Sequence, residues 1–238
     1  MLMTRNLLFH LYPKRKTFWR WHVEQLIRFR DVWNGKKIIV VVEDDHTEPW
    51  QDVFEALSPV DALVYFKRNT PELGEVKYFI PMLRLLESLD PNEATFYAHA
   101  KGVSHDSMLA QIQMWSKAMY ELNLSFPEIV DRRLEKAATV GAFRVQIKHS
   151  GAPWCYAGTY FWLKHSELFS RNWTEIEQTR YGVEGYPGRH FKFSESSALT
   201  VNSMPDHELP NWLYARNSMA GVTQAHLGRM LEHLQKEG

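Results

Sequence analysis

The chain has 238 residues, enough to bury a sizeable core, and its 28 lysines and arginines balance 28 aspartates and glutamates. A formal charge of zero argues against a general nucleic-acid or membrane-surface binder, since those carry a basic excess, and leaves small molecules or glycans as the fitting partners. The single Cys155 cannot form an internal disulfide, no apolar run reaches the length of a transmembrane segment, and the start is too short and polar for a secretory signal, so a reduced, cytoplasmic protein is expected.

In chain order, Asn6 to Tyr12 is a short apolar run stopped by Pro13, after which Trp19, Val23, Leu26 and Ile27 recur at helical spacing up to the Asn34-Gly35 turn signal. Lys37 to Asp45 begins with the β-branched run Ile38 to Val42, which predicts a strand buried on both faces, and ends in three acids. Glu48 to Leu57 reads as a helix with Pro49 in its first turn. Ala62 to Phe66 is the next strand. Val76, Phe79, Ile80, Leu83 and Leu86 follow as a helical stripe, in which Pro81 predicts a kink or a late start. The run Phe96 to Gly102, FYAHAKG, is then the fourth strand, and it delivers His99, Lys101 and Gly102 at its carboxyl end. Strands that alternate with helices favour parallel pairing, and ligands of such sheets sit beyond the carboxyl ends of the strands.

The second half is less regular. Met108, Ile112, Trp115, Met119 and Leu122 form a helical face after Asp106 as N-cap, and Ser125 with Glu128 reads as a capping box opening another helix. Thr139 to Ile147 and Ala157 to Leu163 read as strands. Gly151 to Phe193, rich in glycine and aromatics, reads as a large loop system, and Val222 to Lys236 as a terminal helix; Met204 to Met219 has no clear pattern. P-loop, GxGxxG, GxSxG, HExxH and paired CxxC motifs are all absent. Residues with chemistry therefore collect at strand ends: Glu43, Asp44 and Asp45 after the second, Arg68 and Asn69 after the third with Glu75 ahead of the next helix, His99 and Lys101 after the fourth. Glu184 lies in the loop YGVEGYPGRHF.

The runs KRNTPELGE, FYAHAKGVSH, AGTYFWLKHSELF and YGVEGYPGRHF resemble a group of bacterial glycosyltransferase-like proteins with a GT-A-type fold, and the similarity covers most of the chain. That resemblance implies an α/β fold, GT-A-like and Rossmann-related, with a mostly parallel central sheet flanked by helices. It implies one glycosyltransferase-like domain over residues 1–238, with 1–105 as the nucleotide-sugar half and 106–238 as the acceptor and catalytic half. The activity implied is transfer of a sugar from a nucleotide-sugar donor, a UDP-sugar first of all, to a glycan, lipid-linked glycan or other hydroxyl acceptor, as in polysaccharide biosynthesis. Where such enzymes carry a metal-binding Asp-x-Asp, this chain has His99-Ala100-Lys101. A divalent metal, manganese or magnesium, is thus left open.

Each residue has a functional and a bland reading. Lys101, with His99 and Arg68, could stabilise a leaving diphosphate; singly, they are an exposed strand-end lysine and a satisfied core histidine. Asp44 or Asp45 could hold the nucleoside, Glu43 and Asp45 could bind a metal, or the acids could serve only the dipole of the following helix. In the resembled family the region of Arg68, Asn69 and Glu75 approaches the donor, so these three are expected donor contacts; the Arg68 fork suits phosphate, whereas Asn69 also fits ordinary turn chemistry. Glu184 is the expected general base, or else a structural partner of Arg189. Trp154, Tyr156 and Tyr160, with Arg189 and His190, are the expected acceptor contacts, although aromatics also build cores. Two other functions compete: a catalytically silent binding protein for sugar nucleotides or glycans on the same fold, and a structural subunit docking through its aromatic loop.

Overall fold

Successive side chains of a strand point to opposite faces, so a strand apolar at every position must be covered on both sides. The computed structural model, which describes residues 3–104, 110–146, 151–200 and 224–237, shows this for the first two strands. In β1 (Thr4–Leu11) and β2 (Lys37–Glu43), Leu7, Phe9, Leu11, Ile39 and Val41 enter one core, and Leu8, Ile38, Val40 and Val42 the other. The first core lies under α1 (Trp19–Arg28), α2 (Trp50–Leu57), α4 (Ala110–Leu124), α5 (Pro127–Lys136) and α8 (Gln224–Glu237). The second lies under α3 (Val76–Leu83), α6 (His165–Phe169) and α7 (Gly182–His190). Each large apolar side chain so buried contributes about 1.5–3 kcal/mol.

With β3 (Leu63–Arg68), β4 (Glu93–His99), β5 (Thr139–Gly141), β8 (Phe161–Lys164) and β9 (Ser196–Ala198), these strands form a seven-stranded sheet in the order β3-β2-β1-β4-β8-β5-β9. Only β8 runs antiparallel to its neighbours. This is the mostly parallel, helix-flanked central sheet expected. A separate two-stranded sheet joins β6 (Arg144–Val145) to β7 (Cys155–Tyr156). No helix among the described residues is long and apolar enough to cross a membrane.

Several expectations need correction. The strand expected from Thr139 stops at Gly141 and resumes at Arg144 in the other sheet. Ala157 to Tyr160 is a turn ahead of β8, with Thr159 at φ +67°. Ser125 does not cap α5: its hydroxyl donates back to Glu121 at 2.8 Å, and Pro127, preset for a first helical position, starts the helix after Phe126. Pro49 is the residue before α2 rather than inside it. Pro81 lies within α3, which gives way to a single 3-10 turn at Arg84–Leu86. The largest difference is α7, which turns the expected loop YGVEGYPGRHF into nine residues of helix. Asp106, Met108, Ile147, Met204 to Met219 and Val222 lie outside the described residues.

Candidate active site

The carboxyl ends of β1 and β4 lie side by side, with His10 opposite His99 in the parallel register. Glu75, the residue ahead of α3, reaches over them: its Oε2 is 2.7 Å from His99 Nδ1 and 2.5 Å from the Tyr97 hydroxyl. Its side chain is only 11% exposed. Burial works to raise the carboxyl, but the charge and hydrogen bond of His99, the charge of His10 and the Tyr97 hydroxyl bring it down to about 2. A carboxylate only accepts, so His99 Nδ1 must carry the proton. The ring is thereby oriented, and when neutral it presents Nε2 as its basic atom.

Beneath this pair the turn after β4 is fixed from the core. Tyr160 donates its hydroxyl to the His99 carbonyl at 2.7 Å, and His22 donates Nε2–H to the Lys101 carbonyl at 3.0 Å while Nδ1 accepts from Tyr120. Burial lowers His22 to about 3, so it stays neutral. Gly102 closes the turn at φ +88°, and a Cβ there would run into Ile112 and lie 3.0 Å from the Phe18 ring. The Lys101 ammonium is held 4.7 Å above the Trp115 ring. Sequence reading missed His22; the signal available was a histidine on the apolar face of the first helix.

The acids after β2 divide their roles. Asp44 accepts from Tyr12 at 2.9 Å, from Asn69 at 2.7 Å and from the His46 backbone at 2.8 Å. Burial opposes ionisation, but these donors hold its carboxyl below the usual range, while burial and Asp44 push Tyr12 up to about 12. Asp44 and Asn69 thus brace the strand ends. Among the described residues Glu43 and Asp45 make no side-chain hydrogen bond. They open on a cleft of about 600 Å³ that is also lined by Asp44 itself and by Arg15, Glu48, Trp50 and Arg68. Arg68 is the last residue of β3 rather than part of the following loop. Arg15 comes from the basic run Lys14-Arg15-Lys16 after β1, a strand-end signal that the sequence reading passed over. Its backbone N–H donates to the His46 carbonyl at 2.9 Å, which stitches the loops after β1 and β2 together.

Glu184 is buried at 7% exposure on the first turn of α7, and its Oε1 accepts the Gly158 N–H at 3.3 Å. Gly158 holds φ +92°, and a Cβ there would run into Met119, so the backbone that donates to Glu184 is packed directly on α4. Arg189 pairs with Glu177 at 2.8 Å, not with Glu184. His190, lowered by burial, lies 2.8 Å from the Glu175 carbonyl through Nε2. Trp154, Tyr156 and Tyr160 are 1%, 0% and 1% exposed and pack as core, with their polar atoms bonded to the carbonyls of Phe191, of Thr139 and Ser197, and of His99. They line no open surface. Both faces of β8 are likewise core, with Trp162 in one cluster and Phe161 in the other.

No three His, Cys, Asp or Glu side chains among the described residues form a group that could hold a metal ion. The carboxylates open to the cleft, Glu43 and Asp45, are hard oxygen donors of the kind that a magnesium or manganese ion shares with phosphate oxygens.

No protein-family model matches the chain, and no curated protein matches it. Among solved structures it is similar to a 4-diphosphocytidyl-2C-methyl-D-erythritol synthase, at 12% identity over 83% of this chain and 89% of that chain, with a TM-score of 0.43. It is also similar to glucosyl-3-phosphoglycerate synthase from Mycobacterium tuberculosis in complex with Mn2+, UDP and phosphoglyceric acid, at 10% identity over 82% and 68% of the two chains, with a TM-score of 0.44. A third similarity is to a mannosyltransferase from Pyrobaculum calidifontis in complex with GDP-Man and Mn2+, at 10% identity over 99% and 69%, with a TM-score of 0.41.

Proposed function

We propose that the chain transfers a sugar from a nucleoside diphosphate donor, a UDP-sugar first of all, to a hydroxyl of a glycan or lipid-linked glycan. The observation that carries this reading is the charge arrangement along one rim of the sheet. Arg15 and Arg68 share a cleft at the ends of β2 and β3 with the acids Glu43, Asp44, Asp45 and Glu48, and the braced His99 and Lys101 stand at the end of β4. In this reading Glu43 and Asp45 contact the nucleoside hydroxyls, and Arg15 and Arg68 grip phosphate oxygens as charge-assisted donors. Departure of the diphosphate moves the electron pair of the sugar C–O bond onto a phosphate oxygen, and Lys101 stabilises that charge, joined by His99 when its ring is protonated and Nε2 also donates. Glu184 takes the proton of the acceptor hydroxyl as it attacks the anomeric carbon. If a divalent metal is bound, Glu43 and Asp45 would hold it in place of the nucleoside contact, and it would supply further charge neutralisation to the diphosphate.

The test is Glu184→Gln, which keeps size and removes the base. Turnover of the active donor and acceptor pair should fall about a hundredfold or more, while donor affinity measured by calorimetry stays within about twofold, because the base touches the acceptor side. Unchanged turnover would take the base role away from Glu184. Tight donor binding by the wild type with no turnover on any acceptor, with or without manganese, would favour the silent binding protein instead.

A further inference from the structure

Among the described residues the outer strand of the sheet, β3, has β2 as its only strand neighbour, so within them one row of its backbone groups is unpaired. Residues 62–66 read Ala, Leu, Val, Tyr, Phe, and Leu63 is 58% exposed. On the adjoining α2, Trp50 and Phe54 stand one turn apart at 52% exposure each, and the Trp50 ring lies 6.1 Å from that of Phe66. Half of the six large apolar side chains that the described residues expose therefore gather at this edge. A bare apolar edge strand is a template for another strand.

We propose that this edge pairs with the β3 edge of a second copy of the chain, antiparallel and about a two-fold axis perpendicular to the sheet. Charge selects that occupant. Asp61, just ahead of the strand, has a carboxylate 98% exposed and only a 3.7 Å approach from Lys37, while Lys67 near the far end has no side-chain partner among the described residues. A lysine on an edge deters indiscriminate pairing, so the incoming strand must bring an acid opposite it. When Val64 faces Val64 of the second copy, Asp61 falls opposite Lys67, Leu63 opposite Tyr65 and Ala62 opposite Phe66, each pair occurring twice by symmetry. The backbone agrees. Asn69 donates its N–H to the Glu43 carbonyl at 2.8 Å, so odd-numbered residues of β3 turn their amides toward β2 and Ala62, Val64 and Phe66 turn theirs outward. In this alignment those three become the hydrogen-bonded pairs and the Leu–Tyr pairs alternate with them, as an antiparallel ladder requires, while Asp61, left-handed at φ +54° where it ends the preceding turn, stands just past the end of the ladder beside Lys67. Arg68 lies beyond the paired segment and keeps its place in the cleft.

The experiment is sedimentation velocity over about two decades of concentration, from about 1 to about 100 μM, because dimerisation is a mass-action effect. Wild type, Asp61→Lys, Lys67→Asp and the double exchange are compared, with circular dichroism confirming that each is folded. The wild type should dimerise, either single reversal should raise the dissociation constant about tenfold or more by setting like charges opposite one another twice, and the double exchange should restore the dimer. A wild type that stays monomeric throughout overturns the proposal. So does a dimer indifferent to the single reversals, or a double exchange as weak as the singles.

Discussion

Glu75→Leu is expected to lower the unfolding free energy by about 3–5 kcal/mol, the cost of breaking a buried ion pair by removing one partner. The carboxylate receives both the Tyr97 hydroxyl and His99 Nδ1–H in a site only 11% exposed, and among the described residues neither donor has a second acceptor. His10 beside it already has an Nε2 that is buried without a hydrogen-bond partner among the described residues. Leucine would add two more orphaned groups there. Glu75→Gln keeps an acceptor and should cost clearly less, while still releasing the His99 ring. Urea unfolding of the three proteins gives the result directly, and a Glu75→Leu midpoint equal to that of the wild type would show that the pair holds nothing together.

Acid should begin to destabilise the protein below about pH 6.5, before the carboxylates titrate. Burial is the main cause that lowers His10 to about 4, His22 to about 3 and His165 to about 4, against an ordinary value of 6.5. The sign follows from which state binds protons. Below pH 6.5 the unfolded chain takes up protons that the folded chain refuses, so stability is complete above that point and drains away as pH falls toward the folded values. Each histidine costs about 1.4 kcal/mol per pH unit, about 2 kcal/mol by pH 5 and about 6 kcal/mol for the three together. That is comparable with the whole stability of an ordinary domain, about 5–15 kcal/mol. Glu75 works in the same direction but later: its folded value of about 2 lies below the ordinary 4.5, so its contribution is present above 4.5 and lost only below it. Denaturant titrations at about pH 7.5 and about pH 5 measure the difference. Equal stability at the two would mean that these rings are not held neutral in the fold.

The first four strands and the place of the strand-end residues were legible because their signal is local. A run such as Ile38 to Val42 has one reading, a doubly covered strand, and the helix after it fixes a parallel return. YGVEGYPGRHF was not legible because tertiary contact overrides propensity there. A Cβ at Gly188 would run into the Trp154 carbonyl, and one at Gly182 into the Glu177 carbonyl, so the glycines that read as loop residues are what allows α7 to pack this closely. The same packing buries Trp154 and Tyr156, which sequence alone could place equally well in a sugar site or in a core. The division of labour among Glu43, Asp44 and Asp45 also needed coordinates, since only the long-range donors Tyr12 and Asn69 distinguish Asp44 from its neighbours.

The claim on which the functional account rests is that the cleft at the ends of β2 and β3 takes the nucleotide of a sugar donor. Thermal unfolding of the protein with a panel of nucleoside diphosphate sugars, with and without manganese, addresses it most directly, because a ligand of the folded state raises the melting temperature by mass action. At least one donor should raise the midpoint for the wild type, and Arg15→Ala with Arg68→Ala should abolish that rise while leaving the unliganded midpoint within a few degrees, as expected for surface changes. A panel without any shift, or a shift that survives loss of both arginines, would contradict the account.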